Sequence, residues 1–290
     1  MNIAQLRTLV AIAEGQGFAV AAEKLFITPA AVSLQMRSLE NELQVPIFDR
    51  NTRPPRLNAH GVYLADRARD VLHTFDAFVD AAKAPGELAG RLLLGCVSGV
   101  SSDLVPRALA NLRERFPRLT VRIEEGLSDP LIHRVRRREL DAAIVTEPAV
   151  PYPDLQSVLI LTEALVVVAP KSCKAASWEE ALCSLPYLSF NRNSGLGAII
   201  DRTLRSAGLI VEEAMELDAS EVVISMARAG LGAGVVPASR LSDDKGTDLK
   251  AFPFGDPQVS RNVILIERKN NQRTDLSEVL YQELRRITEV

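Results

Sequence analysis

Apolar residues in the first sixty positions recur at helical steps. Leu6, Leu9, Val10 and Ala13 form one stripe, and Phe18, Ala21, Ala22 and Leu25 form a second after Gly17. Thr28-Pro29 predicts a helix start, with a side-chain oxygen for open N–H groups and then proline at the first helical position. The helix so begun, residues 29–43, has two faces. Val32, Met36, Leu39 and Leu43 suit a core, whereas Ala30, Ser33, Leu34, Arg37 and Asn41 lie opposite. Three short helices joined by tight turns are the skeleton of a helix-turn-helix. On its stripe alone, the third helix reads equally as an amphipathic surface helix or as one entering a major groove. Small, polar and basic side chains near a helix N-terminus meet base edges there. The groove reading selects Thr28, Pro29, Ala30, Ser33, Leu34, Gln35 and Arg37.

The turn-rich stretch 45–61 carries Arg50, Arg53 and Arg56, and predicts a two-stranded wing whose arginines reach phosphates or a narrow minor groove. Then Leu64, Ala68, Val71, Leu72, Phe75, Phe78, Val79 and Ala82 make a single stripe over roughly six helical turns, ending at Pro85-Gly86. Such a helix buries its stripe on its own domain or on a second copy. A two-fold dimer would set two readers on a palindromic site. From Gly90 the pattern becomes strands (91–97, 119–125, 141–145) alternating with helices (102–116 and 128–139, the latter capped by Ser128). Strands 156–161 and 165–170 follow as a crossover. A second alternation then runs through 187–190, 194–207, 213–217, 220–230 and 233–237 before 262–267 returns the chain, with a last helix from Thr274.

Bulk properties narrow this picture. With 290 residues, 47% hydrophobic and 24% charged, the chain is of globular composition and large enough for two or more units. A net charge of −3 excludes indiscriminate nucleic-acid binding, so basic side chains must be concentrated locally. No apolar run suffices for a bilayer or a secretory signal. Cys96, Cys173 and Cys183 match neither a disulfide framework nor a metal cluster, which predicts a reduced, cytoplasmic, membrane-free protein without cofactor or metal.

Residues 1–61 resemble the winged helix-turn-helix of LysR-type transcriptional regulators. The likeness runs through Ala21-Ala22-Glu23-Lys24-Leu25, Thr28-Pro29-Ala30-Ala31-Val32-Ser33, Leu39-Glu40-Asn41-Glu42-Leu43, Val45-Pro46-Ile47-Phe48-Asp49-Arg50 and Arg56-Leu57-Asn58-Ala59-His60-Gly61. Three positions depart from it. Thr28-Pro29-Ala30-Ala31 stands where Ser-Gln-Pro-Ala is common, Leu34 where arginine is frequent, and Gly17 where serine is usual. The first two should alter base preference toward thymine methyls without abolishing backbone binding. The resemblance implies a winged helix-turn-helix (1–61), a long linker and dimerisation helix with hinge (62–89), and a two-lobed α/β periplasmic-binding-protein-like (type 2) effector domain (90–290). Lobe I would take 90–161 and 265–290, and lobe II 162–264. It also implies a homodimer or a tetramer of two dimers, binding promoter DNA, with RNA polymerase as a partner if the protein activates.

Open α/β sheets bind ligands where strands end and helix N-termini offer free N–H groups. Those ends carry Ser98, Ser101 and Ser102, then Thr146, and in the second lobe Arg192 and Ser194. Hydroxyls, helix N-termini and one arginine suit a small anion such as a carboxylate, while serine or threonine before a helix also serves simply as a cap. Two other functions have weaker support in the sequence. An enzyme needs a nucleophile–base pair, and His60, His73 and His133 have no partner in the cleft. A thiol switch would use Cys173 and Cys183, ten residues apart, which otherwise read as buried, inert thiols.

Overall fold

The computed structural model describes residues 1–15, 17–49, 52, 54–83, 88–241, 248–271 and 274–288, with only the backbone of 77, 80, 81 and 83. Two compact units divide the chain, Met1–Gly90 and Arg91–Val290.

The first unit packs α1 (Ile3–Gly15), α2 (Phe18–Leu25) and α3 (Pro29–Leu43) around Leu9, Ile12, Ala21, Val32, Met36 and Leu39. Thr28 caps α3 by accepting from the Ala31 N–H at 3.2 Å, with Pro29 opening the helix. The wing is β1 (Phe48–Asp49) against β2 (Arg56–Leu57), antiparallel, with Phe48 opposite Leu57. Its root is fastened by Glu40 of α3, which accepts from the N–H groups of Ile47 (2.7 Å) and Phe48 (3.3 Å). Asn58 starts α4 (Ala59–Lys83), accepting from the Gly61 N–H at 2.8 Å. Gly61 has to be glycine-sized, because a Cβ there would run into the Ile47 carbonyl. The stripe of α4 divides in two. Leu64, Ala68 and Leu72 bury against this unit's own core, whereas Val71, Phe75 and Phe78 stay exposed.

The second unit runs β3 (Gly90–Cys96), α5 (Ser98–Ser101), α6 (Leu104–Arg115), β4 (Leu119–Glu125), α7 (Ser128–Arg136), β5 (Ala142–Thr146), β6 (Leu155–Pro170), α8 (Trp178–Ser184) and β7 (Tyr187–Phe190). It continues through α9 (Gly195–Ser206), β8 (Glu213–Leu217), α10 (Ser220–Arg228), β9 (Ala233–Pro237), β10 (Leu249–Pro253), β11 (Ser260–Arg268) and α11 (Thr274–Thr288). The strand order is β4-β3-β5-β11-β6-β9-β7-β8, with β10 added on β6. One lobe holds β4, β3, β5 and β11, and the other β9, β7, β8 and β10. Strand β6 serves both, since its residues 155–164 pair with β11 and 165–170 with β9 and β10.

Several elements differ from the sequence reading. The two strands expected at 156–161 and 165–170 are a single one, because Thr162 and Glu163 keep pairing with Asn262 and Arg261. The helix expected at 102–116 starts two residues later, as α6, and the short α5 precedes it. Pro106 lacks an N–H and fits only a first turn, so a helix must start just before it. Ser128 caps nothing: Leu127 is the N-cap residue, and the buried Ser128 hydroxyl instead accepts from the Thr146 N–H at 3.3 Å.

Candidate functional site

Two surfaces follow from this fold. On α3, residues Ala30, Leu34, Arg37 and Asn41 lie at steps of four and three on one face, and all are exposed. Thr28 and Pro29 are exposed at its start. Ser33 is half-buried and lines, with Arg37 and Glu40, a groove shared with Phe18 of α2 and with Phe48 and Thr52 on the wing side. Gln35 is turned toward α1. Its Oε1 accepts from the buried Thr8 hydroxyl at 2.5 Å, in line with the buried Gln5, which donates to Ser38 at 3.0 Å. This polar seam fixes the rotation of α3 about its axis. Arg56 is exposed on β2, while Arg50 and Arg53 lie outside the described residues.

The second surface is a cleft in the Arg91–Val290 unit, between its lobes, with a cavity volume of about 40 Å³. From one lobe it is lined by Ser98, Ser128 and Thr146, and from the other by Ser194, Gly195 and Ser220, with Arg261 between them. The N-termini of α7, α9 and α10 all open onto it. Ser194 caps α9, donating to Asn191 O (2.7 Å) and accepting from the Gly197 N–H (2.9 Å). Helices α7 and α10 have no side-chain cap. Thr146 and Ser220 are buried, yet among the described residues neither hydroxyl has a hydrogen-bond partner. Gly195 keeps the lobes close, since a Cβ on it would stand 2.7 Å from Thr146 Cβ and 2.9 Å from Ser128 Oγ.

Of the residues named from sequence, Ser98, Thr146 and Ser194 come together here. Ser101 binds Glu125 and the Ser98 carbonyl, and neither Ser101 nor the exposed Ser102 is among the lining residues. Arg192 stands in a different cavity with Tyr187 and Arg205, paired with Glu213. The cation that does line the cleft is Arg261, which the sequence reading missed. Its guanidinium is 4% exposed and bonds Glu163 (9% exposed) at 2.6 Å, cross-strand between β11 and β6. Glu163 in turn accepts from Ser239 at 2.6 Å. No local signal marks that pair, because its members are 98 residues apart.

The remaining features are structural. In the basic run, Arg134 pairs with Glu124 and Glu139, and Arg136 with Asp154. Burial, then the nearby Glu125, pushes the Cys96 thiol up to about 12, so it stays protonated. Cys173 is buried and Cys183 exposed. Among the described residues no group of three or more His, Cys, Asp or Glu side chains could hold a metal ion, and no helix is long and apolar enough to cross a membrane.

Residues 3–62 match the family described as "bacterial regulatory helix-turn-helix protein, lysR family", and residues 85–288 match the "LysR substrate binding domain". The chain is 26% identical over 290 residues to the uncharacterized HTH-type transcriptional regulator YfeR of Shigella flexneri, covering 98% of this chain and 93% of that one. It is 28% identical over 280 residues to the HTH-type transcriptional regulator CzcR of Bacillus cereus, covering 95% and 94%. Among solved structures, a full-length OxyR variant from Pseudomonas aeruginosa is similar with a TM-score of 0.74 at 26% identity, over 98% of this chain and 95% of that chain.

Proposed function

Since the chain belongs to the lysR family of bacterial helix-turn-helix transcriptional regulators, we propose that it switches promoter binding in response to a small anion, a carboxylate in the first place, held in the cleft between its lobes. The observation that carries this reading is the pair of unengaged hydroxyls of the buried residues Thr146 and Ser220, which line the cleft beside two uncapped helix N-termini. Free N–H groups and the helix dipole favour negative charge at such a place. Arg261 adds a cation, although Glu163 already neutralises it and Asp218 also lines the cleft. The cleft therefore suits one negative charge better than several. On the DNA side, the reading face of α3 and the arginines of the wing, Arg50, Arg53 and Arg56, meet bases and phosphates. The exposed Val71, Phe75 and Phe78 of α4 supply the apolar surface for a homodimer, with a tetramer as its doubled form. The protein works in the cytoplasm, where its promoter is, and engages RNA polymerase if it activates.

A thermal-shift screen of the purified protein against monocarboxylates, dicarboxylates, amino acids and inorganic anions tests the cleft. A ligand at a hundredfold excess over its Kd adds about 2.7 kcal/mol of apparent stability. A monocarboxylate should raise the melting temperature, and Thr146→Val, nearly isosteric but without the hydroxyl, should remove most of the shift. A shift that survives in Thr146→Val would place the ligand elsewhere.

A further inference from the structure

The N-terminal half of the outer face of α3 carries few hydrogen-bonding groups that stand clear. The Thr28 oxygen is engaged with the Ala31 N–H, Gln35 with Thr8, and Ser38 with Gln5. Ser33 is drawn into the groove beside the wing. What stands clear at the N-terminal half of the helix is Pro29, Ala30 and Leu34, the last 71% exposed, with Arg37 one turn further on. A leucine side chain at the centre of an outer helical face gains most from a partner that itself offers apolar surface. On the floor of the major groove only one group does: the 5-methyl of thymine.

We infer that Leu34, supported by Ala30, is a specificity-determining residue that selects thymine in each half-site through its methyl group, while Arg37 supplies the polar contact to the neighbouring base or phosphate. This rests on the DNA-binding assignment of the family and deepens it from where the helix docks to what it reads. The i, i+4 spacing of Ala30 and Leu34 places both on one line along the groove, so adjacent or near-adjacent base pairs are addressed. Burying one methyl against Leu34 is worth about a fourfold change in affinity. Because the contact is apolar, it adds to discrimination without adding to the salt dependence, which comes from cations on phosphates.

The test uses the full chain and the DNA that it selects itself. Half-sites are recovered from a random duplex library, and the best duplex is resynthesised with deoxyuridine replacing thymidine one position at a time. Uracil keeps every hydrogen-bonding group of thymine and lacks only the methyl. For the wild type, one or two positions per half-site should lose about fourfold in affinity on replacement. In Leu34→Ala that loss should shrink to near onefold at one of these positions. Affinity for random-sequence duplex, the salt slope and the melting temperature should stay as in the wild type, since Leu34 packs on no core. Leu34→Gln should move the selected base at that position toward adenine. Indifference to deoxyuridine at every position overturns the inference while leaving DNA binding intact, as does a thymine–uracil gap that survives undiminished in Leu34→Ala. Failure to enrich any sequence would overturn the DNA-reading assignment itself, and the inference with it.

Discussion

Arg261 and Glu163 illustrate what single residues do in this protein. Both are almost fully out of water, and each is the other's closest charge partner at 2.6 Å. Removing one member of such a pair leaves a buried charge uncompensated, at a cost of about 3–5 kcal/mol. Arg261→Ala should lower the urea midpoint accordingly, and Arg261→Ala with Glu163→Ala should recover part of the loss. A double-variant loss equal to the sum of the losses in Arg261→Ala and Glu163→Ala alone would mean that the pair is not coupled in solution. Residue-level legibility in the sequence was uneven for a physical reason. Thr28-Pro29 was readable because a cap acts over three residues, and so was Ser194 as the start of α9. Arg261 was not, since its role is made by a partner 98 positions away. Arg192 was named for its chemistry alone, and the strand β8 holds it at Glu213, away from the cleft.

At the scale of elements, periodicity gave nearly every helix and strand, and the misses have identifiable causes. Helix α8 carries a reciprocal cap, with Ser177 Oγ accepting from the Glu180 N–H and the Glu180 carboxylate from the Ala176 N–H. That Ser-x-x-Glu signal was present at 177–180 and went unread. Strand β10 is five residues long, ends in Pro253 and pairs only with β6, so it has little pattern of its own. The α4 stripe was legible as a stripe, but its division into a buried and an exposed part depends on where the core of the first unit ends. The start of α9 is the most sensitive junction. Gly195→Ala would drive a methyl into Thr146 and Ser128 across the cleft, and such overpacking costs about 1–3 kcal/mol. By calorimetry, the anion affinity of that variant should fall about tenfold or more while the protein remains folded. Unchanged affinity would mean that this lobe contact is not part of the binding state.

For the whole molecule, the two units give each half of a regulator a separate physical basis. One presents an apolar and basic face of α3 on a small helical core; the other offers a cleft whose two walls come from lobes joined by β6. A ligand that binds one lobe arrangement better than another shifts their balance, and a coupling of about 1–3 kcal/mol is enough to change DNA affinity 5- to 150-fold. The coupling is reciprocal, so DNA must alter anion affinity by the same factor. The most direct measurement is a fluorescence-anisotropy titration of the self-selected duplex with the full chain, with and without the saturating carboxylate found by thermal shift. The expected result is a Kd that moves by at least fivefold with the carboxylate, an effect abolished by Thr146→Val although DNA binding itself persists. A Kd identical under both conditions, or a response that Thr146→Val leaves untouched, would contradict the account.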